Sequence, residues 1–345
     1  MKRNLIALAI AGAIAAPLTA AADTTLYGKL HLSTDFYGGD NAANNNYALS
    51  SNSSRIGIRG SEAINANLNV IYQWETTMGW GDGSGGDGGF GGQRNTFAGF
   101  SGDWGRVLVG RMDTPFKGVR STYGFFGDQV GDARTILDAQ REDGTRMDRR
   151  ASNSIAYSTP DLAGFSATLQ YSADTSGGTD NDQDLFSARA DYKVAGFSIT
   201  AAYDQNNRNG DDQSAWRLGA GYSFGDFEVA ALYQDAEIGF DGDDQTAWGF
   251  GGAYSIGDGT FKAQYYTADS ISNRPATGAD MWAVGYDYSL SRQTKLYAAF
   301  QYVSNDSGTD TYNVGGGGHG KSPAQRDNAF GDDYSVVSFG VEHSF

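Results

Sequence analysis

The chain has 345 residues, among them 49 glycines, 20 tyrosines, 19 phenylalanines, 5 prolines and no cysteine. Its formal charge of −16 repels nucleic-acid phosphates and argues against a nucleic-acid partner. The lack of cysteine excludes a disulfide-stapled scaffold, thiolate metal sites and cysteine nucleophiles, and no segment approaches the roughly 18 apolar residues of a membrane-crossing helix.

The chain opens MKRNLIALAIAGAIAAPLTAAADTT, with Lys2 and Arg3 before an apolar run from Leu5 to Ala16 and small residues at Ala20 and Ala22. This order predicts a secretory signal peptide over residues 1–22, removed to leave a chain starting at Asp23. The run is short for an anchor and no stop-transfer charges follow it. Loss of Lys2 and Arg3 would take the charge from −16 to −18.

From there the period is two. LYGKLHLS sets Leu26, Gly28, Leu30 and Leu32 against Tyr27, Lys29, His31 and Ser33, and SRIGIR sets Ile56 and Ile58 against Arg55, Gly57 and Arg59. KLYAAFQYV opposes Leu296, Ala298, Phe300 and Tyr302 to Lys295, Tyr297, Ala299 and Gln301. The final DYSVVSFGVEHSF puts Val337, Phe339, Val341, His343 and Phe345 on one face, with Val336, Ser338, Gly340, Glu342 and Ser344 on the other. One apolar and one polar face mark strands between two different solvents.

A hairpin unit repeats as YKVAGFSITAAY, YSFGDFEVAALY, YSIGDGTFKAQYY and YSLSRQTKLYAAFQY, with longer polar stretches such as DQNNRNGDD and ADSISNRPATGA between. The pattern predicts strands at 24–37, 53–61, 67–80, 92–102, 105–113, 150–160, 164–174, 184–194, 196–205, 214–224, 226–238, 245–256, 259–269, 279–290, 294–304 and 333–345. Sixteen is an even number that brings both ends to the short-turn side. Short turns at one end and long loops at the other are the layout of an all-β, antiparallel transmembrane barrel. Closing such a sheet satisfies every backbone group in lipid without a helix, and sixteen strands leave an aqueous channel. A soluble sandwich or solenoid would leave an alternating strand ending in a lone Phe345 unexplained. Tyr192 with Phe197, Tyr222 with Phe227, Tyr254 with Phe261 and Tyr288 with Tyr297 would form an aromatic girdle beside the short turns.

Thr114 to Arg149 separates two strands by 36 residues and carries Phe116, Tyr123, Phe125, Phe126, Ile136 and Leu137. That is long and apolar for a solvated loop. GGGGHGKS, Gly315 to Ser322, fits the phosphate-loop pattern, yet Pro323 follows at once and no strand–loop–helix frame surrounds it. It reads as an external loop. Of the three histidines, His31 faces the lumen side and would be the only starting point for an outer-membrane hydrolase, but no nucleophile and orienting partner accompany it. DGDD, Asp241 to Asp244, lacks the spacing of a calcium loop. No catalytic residue, metal site or cofactor is expected.

Six pieces taken in order resemble the general, trimeric, sixteen-stranded porins of Gram-negative outer membranes. They are LYGKL, SRIGIRGSE, QRNTFAGF, WGRVLVGRMDTPFK, RRASNSIAYSTPDLAGFSATLQY and the terminal Phe345, and the likeness spans Leu26 to Phe345. The resemblance implies a single barrel domain over 23–345 in the outer membrane, passing ions and small hydrophilic solutes by passive diffusion. It implies a homotrimer that contacts outer-membrane lipid and lipopolysaccharide, with Phe345 as a signal to the barrel-assembly machinery. A substrate-specific channel is the alternative. The family's third long loop folds into the lumen, here 114–149, and its carboxylates face basic wall residues. Lys29, Arg55, Arg94 and Arg150 stand at the matching wall positions; Asp128 and Asp132 are the loop candidates, and either could reach the eyelet. The parity of Lys29, Arg55 and Arg150 with polar neighbours also places them in the lumen, whereas Arg94 shares its face with Ala98 and Phe100. The second loop, GWGDGSGGDGGFGG, corresponds to the family's intersubunit latch and offers Asp82 or Asp87. Four wall bases against two loop carboxylates predict a weak anion preference despite the acidic total.

Overall fold

A computed structural model describes residues 23–39, 47–79, 90–138, 146–173, 183–208, 211–238, 243–314 and 330–345. The expected leader, Asp82, Asp87, Asp241 and the GGGGHGKS stretch with His319 and Lys321 lie outside the described residues.

The alternating segments become one antiparallel sheet. Its staves are β1 (Asp23–Gly39), β2 (Tyr47–Ser51 continued by Arg55–Asn65), β3 (Leu68–Met78), β4 (Phe90–Gln93 continued by Thr96–Gly102), β5 (Gly105–Asp113), β6 (Arg150–Ser158), β7 (Phe165–Ser172) and β8 (Leu185–Val194). The second half holds β9 (Phe197–Arg208), β10 (Asp211–Phe224), β11 (Phe227–Glu237), β12 (Asp244–Ile256), β13 (Gly259–Ala268), β14 (Ala279–Ser289), β15 (Thr294–Asn305) and β16 (Tyr334–Ser344). Each pairs with its chain neighbour, and β1 pairs with β16 from Lys29 opposite Ser344 to Gly39 opposite Tyr334. The sheet therefore closes, and no edge is left to lipid. Sixteen staves were legible in the sequence, at nearly these boundaries.

Two staves are interrupted. β1 takes Ser51 opposite Leu32 but Arg55 opposite Lys29, so β2 carries one extra residue at its break. β3 takes Phe97 opposite Gln73 but Gln93 opposite Thr76, so β4 does the same around Arg94 and Asn95. Such bulges bend the strand and reverse its parity. This resolves the Arg94 conflict: Arg94 and Phe97 turn to the lumen, while Ala98 and Phe100 are exposed on the outer wall.

β6 also carries one extra residue, between Ala151 and Ser154, and the register shifts at Ala63/Asn65 beside the β2–β3 turn; from β8 to β16 the pairing runs without a shift. Leu218, Phe250, Trp282 and Val284 are about half exposed on the outside, while Gln234, Gln301, Ser187 and Thr200 are buried on the inside. Outside, near the short turns, aromatic rings stack in sequence: Phe197 on Tyr222, Tyr222 on Phe224, Phe224 on Phe227 and Phe227 on Tyr254, with centroids 4.0 to 5.3 Å apart. The expected pair of Tyr288 with Tyr297 is corrected. Tyr288 stands opposite Leu296, and Tyr297 points inward, 4% exposed, with its hydroxyl 3.0 Å from His31 Nε2. Odd and even positions on one strand cannot share a face. The β8–β9 turn shows the short-turn chemistry, with Ala195 and Gly196 at φ +48° and +85°.

Between β5 and β6 the chain turns inward and forms α1 (Pro115–Tyr123) and α2 (Arg134–Leu137). Their apolar side chains join wall residues Ala202, Ala215, Leu232, Tyr266, Met281 and Ala283 in one buried cluster inside the barrel. Among the described residues no helix is long and apolar enough to cross a membrane; the crossing elements are the strands.

Candidate functional site: a basic eyelet beside an inserted segment

The inserted segment starts with a sharp helix signal. Thr114 accepts a hydrogen bond from the Lys117 N–H at 3.3 Å, and Pro115 occupies the first helical turn, where no backbone donor is needed. Phe116, Val119 and Tyr123 recur at helical spacing and are all buried against the wall. Three aromatics then seat in wall glycines. A Cβ at Gly219 would fall on the Tyr123 ring, one at Gly251 would lie 2.8 Å from Phe125, and one at Gly285 would lie 2.7 Å from Phe126. These glycines sit on β10, β12 and β14, so alternate staves hold successive parts of the segment. Gly131, at φ +87°, allows the tight return beyond Phe126.

Buried charges fasten the other flank. Arg120 bonds both Asp132 and Asp148, and Asp148 reaches Arg217 of β10 at 2.7 Å. The Arg217 guanidinium lies 4.1 Å from the centre of the Phe116 ring and donates to Gln234 Oε1 at 2.9 Å. Each buried ion is thus paired and hydrogen-bonded, the condition under which burial is tolerated. Burial would raise the Asp148 carboxyl, but the guanidinium groups of Arg217 and Arg120 outweigh it and hold it well below the usual range.

Asp128, at φ +60°, faces the opposite wall. Its carboxylate is 2.6 Å from Lys29 Nζ and 3.7 Å from Arg55. Burial pushes its pKa up; the ammonium of Lys29 and the guanidinium of Arg55 push harder and hold it well below the ordinary carboxylate range. Asp132 turns away from the wall bases. It accepts from the Asp128 N–H at 3.1 Å and from the Arg134 N–H at 2.9 Å, and pairs with Arg120. Of the two loop candidates, Asp128 meets the wall and Asp132 braces the turn that presents it.

Three of the four wall bases meet carboxylates of the wall as well. Arg94 pairs with Glu75 at 2.5 Å, Arg55 lies 4.0 Å from the same carboxylate, and Arg150 pairs with Asp113 at 2.9 Å. Lys117 also reaches Asp113, at 2.6 Å. Two chambers abut here, one of about 760 Å³ toward the long loops and one of about 480 Å³ toward the short turns. Arg55, Arg94 and Asp113 line both, so the two chambers meet at these residues. Nine basic side chains and four carboxylates line the larger chamber, leaving a positive excess in a chain that is acidic overall.

Sequence reading missed Asp113, Lys117, Arg120, Asp148 and Arg217. Arg217 had a usable signal, since it alternates with outward Trp216 and Leu218. The others lie where parity ends. The N–H and C=O of Phe345 close on Gly28 at 3.1 and 3.0 Å.

Comparison with known proteins agrees with this geometry. A family described as Gram-negative porin matches residues 7–308. Outer membrane porin protein 32 of Delftia acidovorans is 28% identical over all of both chains, and the major outer membrane protein P.IB of Neisseria meningitidis serogroup B is 28% identical over 69% of this chain and 72% of its own. Among solved structures, an anion-selective porin from Comamonas acidovorans superposes with a TM-score of 0.75 at 24% identity, covering 94% of this chain and all of that one. A closed sixteen-stave barrel, a segment folded into its lumen and a match over most of the sequence lead to one conclusion: the chain belongs to the Gram-negative porin family and is an outer-membrane channel for passive diffusion.

Proposed function

We propose that the selective point of this channel is the eyelet formed by Lys29, Arg55, Arg94 and Arg150 on the wall and Asp128 on the inserted segment. Through it pass ions and small hydrophilic solutes, with a weak preference for anions. The observation that carries this reading is the basic excess where the two chambers meet. Charges beside low-dielectric walls at a narrow point act on every permeating ion, whereas loop carboxylates in open water are screened over about 8 Å at physiological salt. The Comamonas acidovorans porin, described as anion-selective, is consistent with this sign.

The segment 114–149 acts as the constriction, with Asp132 as a brace. Removal of a leader at 1–22, assembly as a homotrimer, contact with lipopolysaccharide and recognition of Phe345 by the assembly machinery belong to the same reading. A solved Vibrio cholerae outer membrane protein of this fold is described as a trimer form. Hydrolysis is not part of it: His31 is fully buried and bonded to Tyr297, so no substrate reaches it.

The test is the zero-current potential in a salt gradient across a planar bilayer. Replacing Arg55 and Arg150 by Glu shifts it strongly toward cations; neutralising the exposed loop carboxylates Asp244 and Asp269 shifts it far less at high salt. A dominant effect from the loop pair would place the selective point elsewhere.

A further inference from the structure

The inner wall carries two apolar patches. One, across the second half of the barrel, is covered by the inserted segment. The other joins Leu108, Met112 and Ala156 with Ile71 and Phe97 across β3 to β6. Leu108, Met112 and Ala156 are only 5 to 7% exposed while Ile71 and Phe97 are half-buried, so the patch shows a limited apolar edge to the lumen, and what contacts that edge matters.

Phe97, Leu108, Met112 and Ala156 line a chamber of about 480 Å³ below α1, within the usual size range of small-molecule sites. Pro115 lines the same space. At its short-turn end stands Arg106. It shares a face with Leu108 two residues on, and its register neighbours on the flanking strands are Ser101 and Ser158. Its Nε donates to Ser158 Oγ at 3.4 Å, and no carboxylate among the described residues pairs with it. The other charges of the chamber are spent: Arg189 on Asp191, and Asp113 on Lys117 and Arg150.

One unpaired guanidinium flanked by hydroxyls, with an apolar wall next to it, is complementary to a small organic anion that has an apolar body. We propose that this chamber is a subsite for amphiphilic monocarboxylates, aromatic or short aliphatic, which rest on the Phe97–Leu108–Met112 wall with the carboxylate on Arg106. The site lies on the short-turn side of the eyelet and rests on the channel reading above. It gives such solutes a firmer stop along the path than chloride or acetate finds there.

The probe is benzoate, compared with acetate, as a blocker of chloride current through the full-length channel in a planar bilayer. The phenyl ring should make benzoate block at about a tenfold lower concentration than acetate, from the apolar area it removes from water. Leu108→Asn and Met112→Gln should each bring the ratio below about twofold with chloride conductance unchanged. Arg106→Gln should weaken block by both acids. Heat-modifiable mobility on gels reports folding, and Met112→Gln serves if Leu108→Asn fails to fold. Equal block by the two acids in the native channel, or a benzoate preference that survives in the folded patch variants, overturns the subsite and leaves the channel reading intact. Absence of chloride conductance in the native protein would instead overturn the channel reading and the subsite with it.

Discussion

Asp128→Asn keeps the shape of the side chain and removes the one loop charge that meets Lys29 and Arg55, now 2.6 and 3.7 Å from it. The segment should stay in place, because Tyr123, Phe125 and Phe126 remain in their glycine seats and Arg120 keeps both carboxylates. The change is then mainly electrostatic. A unit charge at ~7 Å through water is worth about 0.6 kcal/mol to a passing monovalent ion. Removing a negative charge favours anions by that amount and disfavours cations equally, so the anion-to-cation permeability ratio rises by about sevenfold. The assay is the reversal potential in a KCl gradient, with single-channel conductance recorded alongside to detect any movement of the segment. An unchanged potential, or a shift toward cations, would refute the placement of Asp128 at the selective point.

Gly285→Val drives a side chain into the seat of Phe126 and should weaken the hold on the segment by about 1–3 kcal/mol, the usual cost of overpacking; single-channel conductance should change while the barrel keeps its heat-modifiable mobility, and native conductance would count against the seat. Deleting Phe345 removes the two backbone bonds to Gly28 that complete the β1–β16 seam, so the folded fraction on gels should fall. Because the folded Asp128 pKa is depressed, the stability it contributes is present above the ordinary carboxylate value and is lost only as pH falls through the lower folded one. Reversal potentials should therefore hold steady as acid passes through the ordinary carboxylate range, apart from loop effects suppressed by salt; an eyelet transition near pH 4 would contradict the pairing.

The alternation of apolar and polar residues determined most of the architecture by itself, because a strand between lipid and water must change solvent at every residue. Leu296, Phe300, Phe339 and Val341 faced outward, and Lys29, Arg55 and Gln301 inward, as their parity demanded. The long apolar insertion announced that it needed a partner, since a solvated loop gains nothing from Phe116 or Phe126. Where parity breaks, sequence stops being sufficient. The extra residues in β2 and β4 leave no local mark, yet one of them decides that Arg94 and Phe97 both enter the lumen. The choice of Asp128 over Asp132 as the group facing the wall was also tertiary: both lie on one short stretch, and only the seats at Gly219, Gly251 and Gly285, with Arg120 holding Asp132, orient that stretch. Local period records which solvent a residue meets, whereas the partner a charge meets depends on strands about a hundred residues away in sequence, which the chain brings together only by closing the barrel.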